Sequence, residues 1–211
     1  MARSHALATM RRMLRVTGGT WRGRNLVTPP GDETRPAMDF HRANVFNILG
    51  QDLTGQRVLD LFAGSGAYGI ESLSRGAASV VFVELGSPAL AAIRKNVTGL
   101  ALAPGVAEIV AADCYDPKTL DTGPLALRGD GFDIVFIAPP YPHFRDDRPQ
   151  VDRLIASLAG AGALLAPDGI AVVQSDAGDF VMPDAPGLAE TKRRRYGRTE
   201  FTFVERVSSA R

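Results

Sequence analysis

From residue 37 onward, short apolar runs and helical periodicities alternate along the chain. Runs rich in β-branched and aliphatic residues predict strands at Arg57–Phe62, Val80–Glu84, Ala107–Ala111, Phe132–Ile137 and Ile170–Gln174. Between them, apolar positions three and four apart predict helices at Phe40–Leu49, Ala67–Arg75, Ser87–Thr98 and Val151–Ala161. In the first of these, Val45, Ile48 and Leu49 share one face and Asp39 is placed as N-cap. Strands spaced by helices require right-handed crossovers, so the expected fold is α/β: a doubly wound, Rossmann-like, mostly parallel sheet. Two late runs, Ala189–Arg194 and Glu200–Arg206, are separated only by Arg195–Thr199 and predict a hairpin that adds one antiparallel strand. Upstream, Leu14–Val16 and Asn25–Val27 flank Gly18-Gly19-Thr20 and predict an N-terminal β-hairpin.

In such a sheet, ligands sit beyond the carboxyl ends of the strands. Those ends carry Asp60, Glu84, Asp113 near the third, and Ala138-Pro139-Pro140-Tyr141. After Asp60 the chain runs Leu61-Phe62-Ala63-Gly64-Ser65-Gly66 and passes directly into a helix, whose N-terminus offers unpaired N–H groups. Gly64-x-Gly66-x-x-Gly69 formally matches a dinucleotide fingerprint, with Glu84 placed for a ribose hydroxyl. Asp60 argues against that reading, because its carboxylate would face a pyrophosphate. It suits S-adenosylmethionine (SAM), whose tail carries an ammonium and whose sulfur is cationic. The expected cofactor site is therefore Asp60, Phe62, Ala63, Gly64, Ser65, Gly66, Glu84, Leu85, Asp113 and Cys114. Glu84 would accept both ribose hydroxyls, and Asp113 the adenine amino group with the Cys114 N–H beside it. Asp113 reads almost equally well as a turn former.

Composition narrows the setting. At 211 residues with 45% hydrophobic content, one α/β domain with a small appendage is expected. The lone Cys114 excludes an internal disulfide and any Cys-based zinc site, which points to a cytoplasmic protein. His41 and His143 lack partners at metal-ligand spacing, so no metal is expected. No apolar run reaches membrane-spanning length. Met1–Arg12 lacks the apolar centre of a signal peptide and is expected to be a disordered extension. The net charge of +1 conceals a segregation: residues 1–31 carry +6 and 191–211 carry +5, while 32–190 carry −10. Basic ends with Trp21 and Tyr196 interleaved favour an anionic macromolecule, RNA or DNA, held at the periphery. Asp146-Asp147 reads as a solvated turn, and Arg193-Arg194-Arg195 equally as strand surface or phosphate contact.

The motifs also resemble one family closely. Arg15-Val16-Thr17-Gly18-Gly19-x-x-Arg22-Gly23-Arg24, Thr34-Arg35-Pro36, Val45-Phe46-Asn47-Ile48-Leu49 and Val58 through Ala67 match it, followed by Glu71-Ser72-Leu73-Ser74-Arg75-Gly76-Ala77, Phe82-Val83-Glu84, Pro139-Pro140-Tyr141 and Arg195-Tyr196-Gly197. In order over residues 13–206, these are similar to the RsmD family, bacterial SAM-dependent methyltransferases that modify the exocyclic N2 of a guanine in small-subunit (16S) ribosomal RNA. The resemblance implies an enzyme acting on 16S rRNA or an assembling small ribosomal subunit, and a monomer is expected. It implies that Ala138, Pro139, Pro140 and Tyr141 form the catalytic strand end, and that Arg15, Arg22, Arg24, Arg35, Arg42 and Arg195 contact RNA. The domain reading is a disordered extension at 1–12, a basic hairpin at 13–36 and a methyltransferase domain at 37–211.

Two departures stand out. The family's fourth-strand motif is Asp/Asn-Pro-Pro-Tyr, and this chain has Ala138 at its first position. That side chain would accept one N–H of the substrate amine while the Pro139 carbonyl accepts the other, turning the nitrogen lone pair toward the methyl. A methyl side chain accepts nothing, which leaves open a catalytically impaired protein that binds SAM and RNA. Adenine-N6 methylation of DNA or RNA is the alternative reaction, since it shares the Pro-Pro-Tyr logic. Tyr141 would stack on the flipped base. The second departure is Asp39-Phe40-His41-Arg42-Ala43-Asn44, where the family shows Asp-Arg-x-Arg-Glu.

Overall fold

The computed structural model describes residues 14–30, 37–119, 125, 131–160 and 162–207. The expected extension at 1–12, Arg35 and the Thr34-Arg35-Pro36 motif lie outside them. In chain order the elements are α1 (Ala37–Leu49), β1 (Arg57–Leu61), α2 (Ala67–Ser74), β2 (Ser79–Glu84), α3 (Ser87–Thr98), β3 (Ala107–Ala111) and β4 (Phe132–Ile137). They continue with α4 (His143–Asp146), α5 (Arg148–Ala156), β5 (Leu165–Asp176), β6 (Leu188–Tyr196) and β7 (Thr199–Arg206). The seven strands form one sheet in the order β3-β2-β1-β4-β5-β7-β6. β7 is antiparallel to both β5 and β6, and the other neighbouring pairs are parallel.

The central strands are buried on both faces, which is why they read as continuous apolar runs. Leu59, Leu61, Val81, Val83, Val135 and Ile137 face one core with Leu154 and Ile155 of α5. Val58, Val80, Phe82, Ile134 and Phe136 face the other, with Phe46 of α1, Ile70 of α2 and Ile93 of α3. Two-residue alternation therefore assigns Asp60, between Leu59 and Leu61, to the α2 side. α2 lies very close to β2: a Cβ at Gly69 would stand 2.3 Å from Phe82 Cε1. Gly69 thus permits the approach that brings the start of α2 down onto the end of β1.

The N-terminal segment is a narrower hairpin than its sequence suggests. A single bridge joins Arg15 to Asn25, supported by Leu26 N–H donating to Leu14 O at 2.7 Å and Val16 N–H to Arg24 O at 2.9 Å. The turn folds over the last residue of α2. Thr20 N–H donates to Ser74 O at 2.7 Å, Trp21 N–H to Ser74 Oγ at 2.9 Å, and Ser74 Oγ to Gly18 O at 2.6 Å. Gly19 has φ 72°, and a Cβ there would lie 1.8 Å from the Ser74 carbonyl oxygen. The Gly18-Gly19 pair is needed for docking as well as for turning.

Several boundaries differ from expectation. α1 starts at Ala37, so Asp39 lies in its first turn rather than capping it, and there it accepts from Arg42 Nη2 at 3.0 Å. β1 ends at Leu61 because Phe62 adopts φ 58°. The helix expected at Val151–Ala161 is preceded by the short α4 and ends at Ala156. β5 is longer than the run Ile170–Gln174, with an irregularity between Phe132 and Ile134 of its partner strand. Asp147 occupies the N-cap position of α5, and its Oδ1 accepts from Gln150 at 3.3 Å.

Candidate active site

The carboxyl ends of β1, β2, β3 and β4 open on one side of the sheet, and the residues singled out from sequence gather there. Asp60 is 1% exposed, and its Oδ2 accepts the Gly69 N–H at 2.9 Å. This bond occupies a donor in the first turn of α2, one of the groups a helix leaves free at its N-terminus. Burial, and then the negative field of Glu84, push the Asp60 pKa up to about 7, against the opposing Gly69 bond. A carboxyl so placed is partly protonated at neutral pH, and a cation beside it favours the ionised form.

Glu84 holds the glycine loop. Its Oε2 accepts the Gly64 N–H at 2.9 Å, and its Oε1 accepts the N–H groups of Leu85 and Gly86 at 2.9 and 2.7 Å. Gly64 and Gly66 have φ 57° and 78°, the left-handed region that glycine enters without penalty. Phe62, also left-handed, lies with its ring 5.1 Å from that of Tyr115 and 6.5 Å from that of His143. A bulky residue held in that region costs of order 1–3 kcal/mol. Phe62 therefore fixes the course of the chain leaving β1. Ala63 and Ser65 are buried in the same loop, while Leu85 is 64% exposed at its mouth.

Asp113 closes a turn: it is exposed, and its Oδ1 accepts the Tyr115 N–H at 2.9 Å. The Cys114 thiol is buried 3.9 Å from Val83 O, and burial lifts its pKa to about 12. The Tyr115 hydroxyl lies 3.2 Å from His143 Nδ1.

At the end of β4, Pro139 is buried, Ala138 and Tyr141 are half-buried, and Pro140 is exposed. The β4–β5 register ends with Ile137 paired to Val173, and Gln174 follows Val173 on β5 as Ala138 follows Ile137 at the end of β4. Gln174 was not singled out from sequence. Its Oε1 accepts the Tyr68 hydroxyl at 2.6 Å, and its Nε2 donates to the Tyr141 hydroxyl at 3.0 Å. That hydroxyl in turn lies 3.3 Å from Thr199 Oγ1, and the Tyr68 ring stacks on Phe136 at 4.7 Å. A polar residue ending the apolar run Ile170–Val173 was the available clue.

The arginines divide. Arg22 and Arg24 are exposed on the N-terminal loop, Arg24 donating to Gly99 O. Arg15 is largely exposed near Asp39, and Arg195 is exposed on β6 with its Nε donating to Gly197 O at 2.9 Å. Arg42 is 2% exposed and takes no part in that surface, contrary to the expected RNA contact. It bonds Glu71 Oε2 at 3.2 Å, Asp39 Oδ1 at 3.0 Å and Arg15 O. These acceptors hold the guanidinium inside the protein, so it is not presented to a phosphate. Glu71, fully buried, also accepts from Thr17 N and Oγ1 and from Arg75 Nε and Nη2. It joins the N-terminal loop, α1 and α2.

A sheet of this order with β7 reversed, carrying an acid at the end of β1, a glycine loop, and a second acid at the end of β2, defines the class I methyltransferase architecture. Comparison with known proteins gives the particular family. The family model described as "Conserved hypothetical protein 95" matches residues 14–205, and the chain belongs to that family. The chain is 33% identical over 194 residues to YlbH of Bacillus subtilis (strain 168), named as a candidate rRNA methyltransferase, covering 92% of this chain and 99% of that protein. It is 36% identical over 128 residues to "Ribosomal RNA small subunit methyltransferase D" of Escherichia coli (strain K12), covering 61% of this chain and 60% of the relative. The solved structure of Escherichia coli yhhF, described as a candidate methyltransferase, superposes with TM-score 0.71 at 30% identity, covering 92% of this chain and 98% of that one. The resemblance drawn from the motifs and the expected fold class are borne out, and the protein is a methyltransferase by family. Among the described residues, no helix is long and apolar enough to cross a membrane.

Proposed function

We propose that this protein transfers a methyl group from SAM to the exocyclic N2 of a guanine in small-subunit ribosomal RNA. One observation carries the proposal: two strand-end carboxyl groups around a glycine loop stand beside the Pro-Pro-Tyr strand end, in a chain related to rRNA methyltransferases over its length. The residues fit the cofactor. Buried Asp60, with one oxygen engaged by Gly69, suits the cationic amino-acid end, and Glu84, with three N–H groups on about four acceptor sites, has room for one ribose hydroxyl rather than the two expected. Exposed Leu85 offers an apolar face to the adenine, beside Asp113 and the Cys114 backbone. When bound, SAM supplies an electrophilic methyl group.

The chain's own residues orient the amine. The Pro139 carbonyl accepts one N–H of the substrate. Ala138 accepts nothing, and the side-chain oxygen of its neighbour Gln174 accepts the second. That oxygen takes one bond from Tyr68, and a carbonyl oxygen has two lone pairs. Tyr141, held through its hydroxyl, stacks on the extruded base. Arg15 and Arg195 bind phosphates near the opening, and Arg22 and Arg24, whose loop docks on the C-terminal ends of α2 and α3, bind phosphates farther along the RNA, a role that positions RNA without reading its sequence.

The test is transfer from labelled SAM to small-subunit particles lacking the modification, followed by nucleoside analysis. N2-methylguanosine is expected, and N6-methyladenosine would replace the reading by the adenine one. Ala138 supports a second reading, a protein that binds SAM and RNA without turnover. Binding of both with no transfer in a single-turnover assay would establish it.

A further inference from the structure

Tyr196 ends β6 at the ligand side of the sheet and is paired with Thr199, whose Oγ1 is 3.3 Å from the Tyr141 hydroxyl. Phe40 of α1, 59% exposed, meets the Tyr196 ring edge-on at 5.8 Å, and His41 lies 5.9 Å from the same ring. Such an exposure leaves most of the Phe40 ring in water. The register continues the patch along β6. Arg194 pairs with Phe201 and Lys192 with Phe203, and both phenylalanines are buried in the core on the α1 side. Lys192, Arg194 and Tyr196 therefore share that face of the edge strand. Lys192 and Arg194 are exposed, and among the described residues neither pairs with a carboxylate; Arg194 donates to the Arg193 carbonyl. The nearby Asp39 is engaged by Arg42 and Arg15. The patch is thus aromatic beside the catalytic strand end and cationic away from it.

We propose that Phe40 and Tyr196 form a stacking platform for an unpaired nucleobase adjoining the target base, with Lys192 and Arg194 neutralising the phosphates that follow. The occupant is single-stranded RNA, because its bases present flat apolar faces and its backbone presents a phosphate anion at each nucleotide. The inference rests on the RNA reading above and adds where the strand leaves the active site. An exposed ring next to a pair of cations also separates base stacking from charge neutralisation, so the two contributions can be measured independently.

The experiment uses the full chain, a labelled oligoriboadenylate decamer and an abasic decamer of equal charge, with binding followed by fluorescence anisotropy across a salt series. Wild type is expected to prefer the decamer that carries bases. Phe40→Ala should weaken that decamer about fivefold to a hundredfold, the span of alanine replacements at stacked aromatics, and leave the abasic one unchanged. Phe40→Trp should retain binding and Phe40→Leu should not. Tyr196→Leu, which keeps an apolar body against the core, should behave like Phe40→Ala. Lys192→Glu with Arg194→Glu should weaken both decamers and flatten the salt slope by about 1.4, at roughly 0.7 per phosphate contact. Equal affinity of wild type for the two decamers overturns the platform, as does an unaffected Phe40→Ala. A change in self-association instead of RNA affinity would assign the patch to a second copy and overturn it too. Methyl transfer by wild type, run alongside, separates the two levels. Transfer with ring-independent binding removes the platform alone, whereas ring-dependent binding without transfer removes the proposed reaction alone.

Discussion

Replacing Glu71 by alanine is expected to loosen three elements together. The carboxylate is fully buried and receives five donors: Thr17 N at 2.7 Å, Thr17 Oγ1 at 2.8 Å, Arg42 Nε at 3.2 Å, and Arg75 Nε and Nη2 at 3.0 and 2.7 Å. Its removal leaves two guanidiniums, 2% and 3% exposed, without their shared counter-charge. Arg42 keeps Asp39 and Arg15 O, and Arg75 keeps Gln51, so neither is wholly abandoned. Breaking a buried pair by removing one partner costs about 3–5 kcal/mol. For a chain of this size that is a fall in Tm of roughly 6–20 °C, at about 2–4 °C per kcal/mol. Urea unfolding gives the free energy directly, and the loss should come as a lower midpoint at similar slope. Limited trypsin digestion of the variant should cut sooner at Arg22 and Arg24, because Thr17 no longer tethers their loop. The triple change Glu71→Leu, Arg42→Met, Arg75→Met should recover most of the stability, since apolar packing of similar volume replaces buried ions at little or no cost. A Glu71→Ala loss below about 1 kcal/mol would contradict the argument, because so small a figure belongs to solvent-exposed pairs.

Asp60 makes a pH prediction. Its pKa is raised to about 7, so its protonated form is native at low pH, and the stability it contributes is lost as pH rises from the unfolded carboxylate range through 7. A cationic ligand needs the ionised form, so SAM affinity should climb by up to about tenfold per pH unit below 7 and level above it, with proton release in calorimetry. Asp60→Asn should flatten that profile, and a flat wild-type profile would exclude the assignment. At the β4 end, Ala138→Asn and Ala138→Asp should raise single-turnover methyl transfer with SAM affinity unchanged, because an acceptor acting mainly in the transition state is read in the rate constant. Gln174→Leu should slow wild type more than Ala138→Asn; equal slowing would show that Gln174 does not stand in for the missing side chain.

Much of this protein was legible in its sequence. Continuous apolar runs marked the strands because both faces of a parallel sheet are buried, and the intervals between Asp60, Glu84 and Ala138 reflect βα units that return each strand end to one side. The glycine loop and its acids were readable because the chemistry needs those residue types at those local spacings. Tertiary structure decided what spacing cannot encode. Arg42 looked like a surface cation, yet long-range packing against Glu71 buries it, 29 residues away in sequence. Gln174 acquires meaning only when β5 lies beside β4 and Tyr68 reaches it across 106 residues. Phe40 and Tyr196 meet for the same reason, when α1 covers the edge of a sheet whose last strand pair was read only as a hairpin. Periodicity is a local consequence of backbone geometry and survives in the sequence, whereas the partners of a buried charge or an exposed ring are set by where distant elements come to rest.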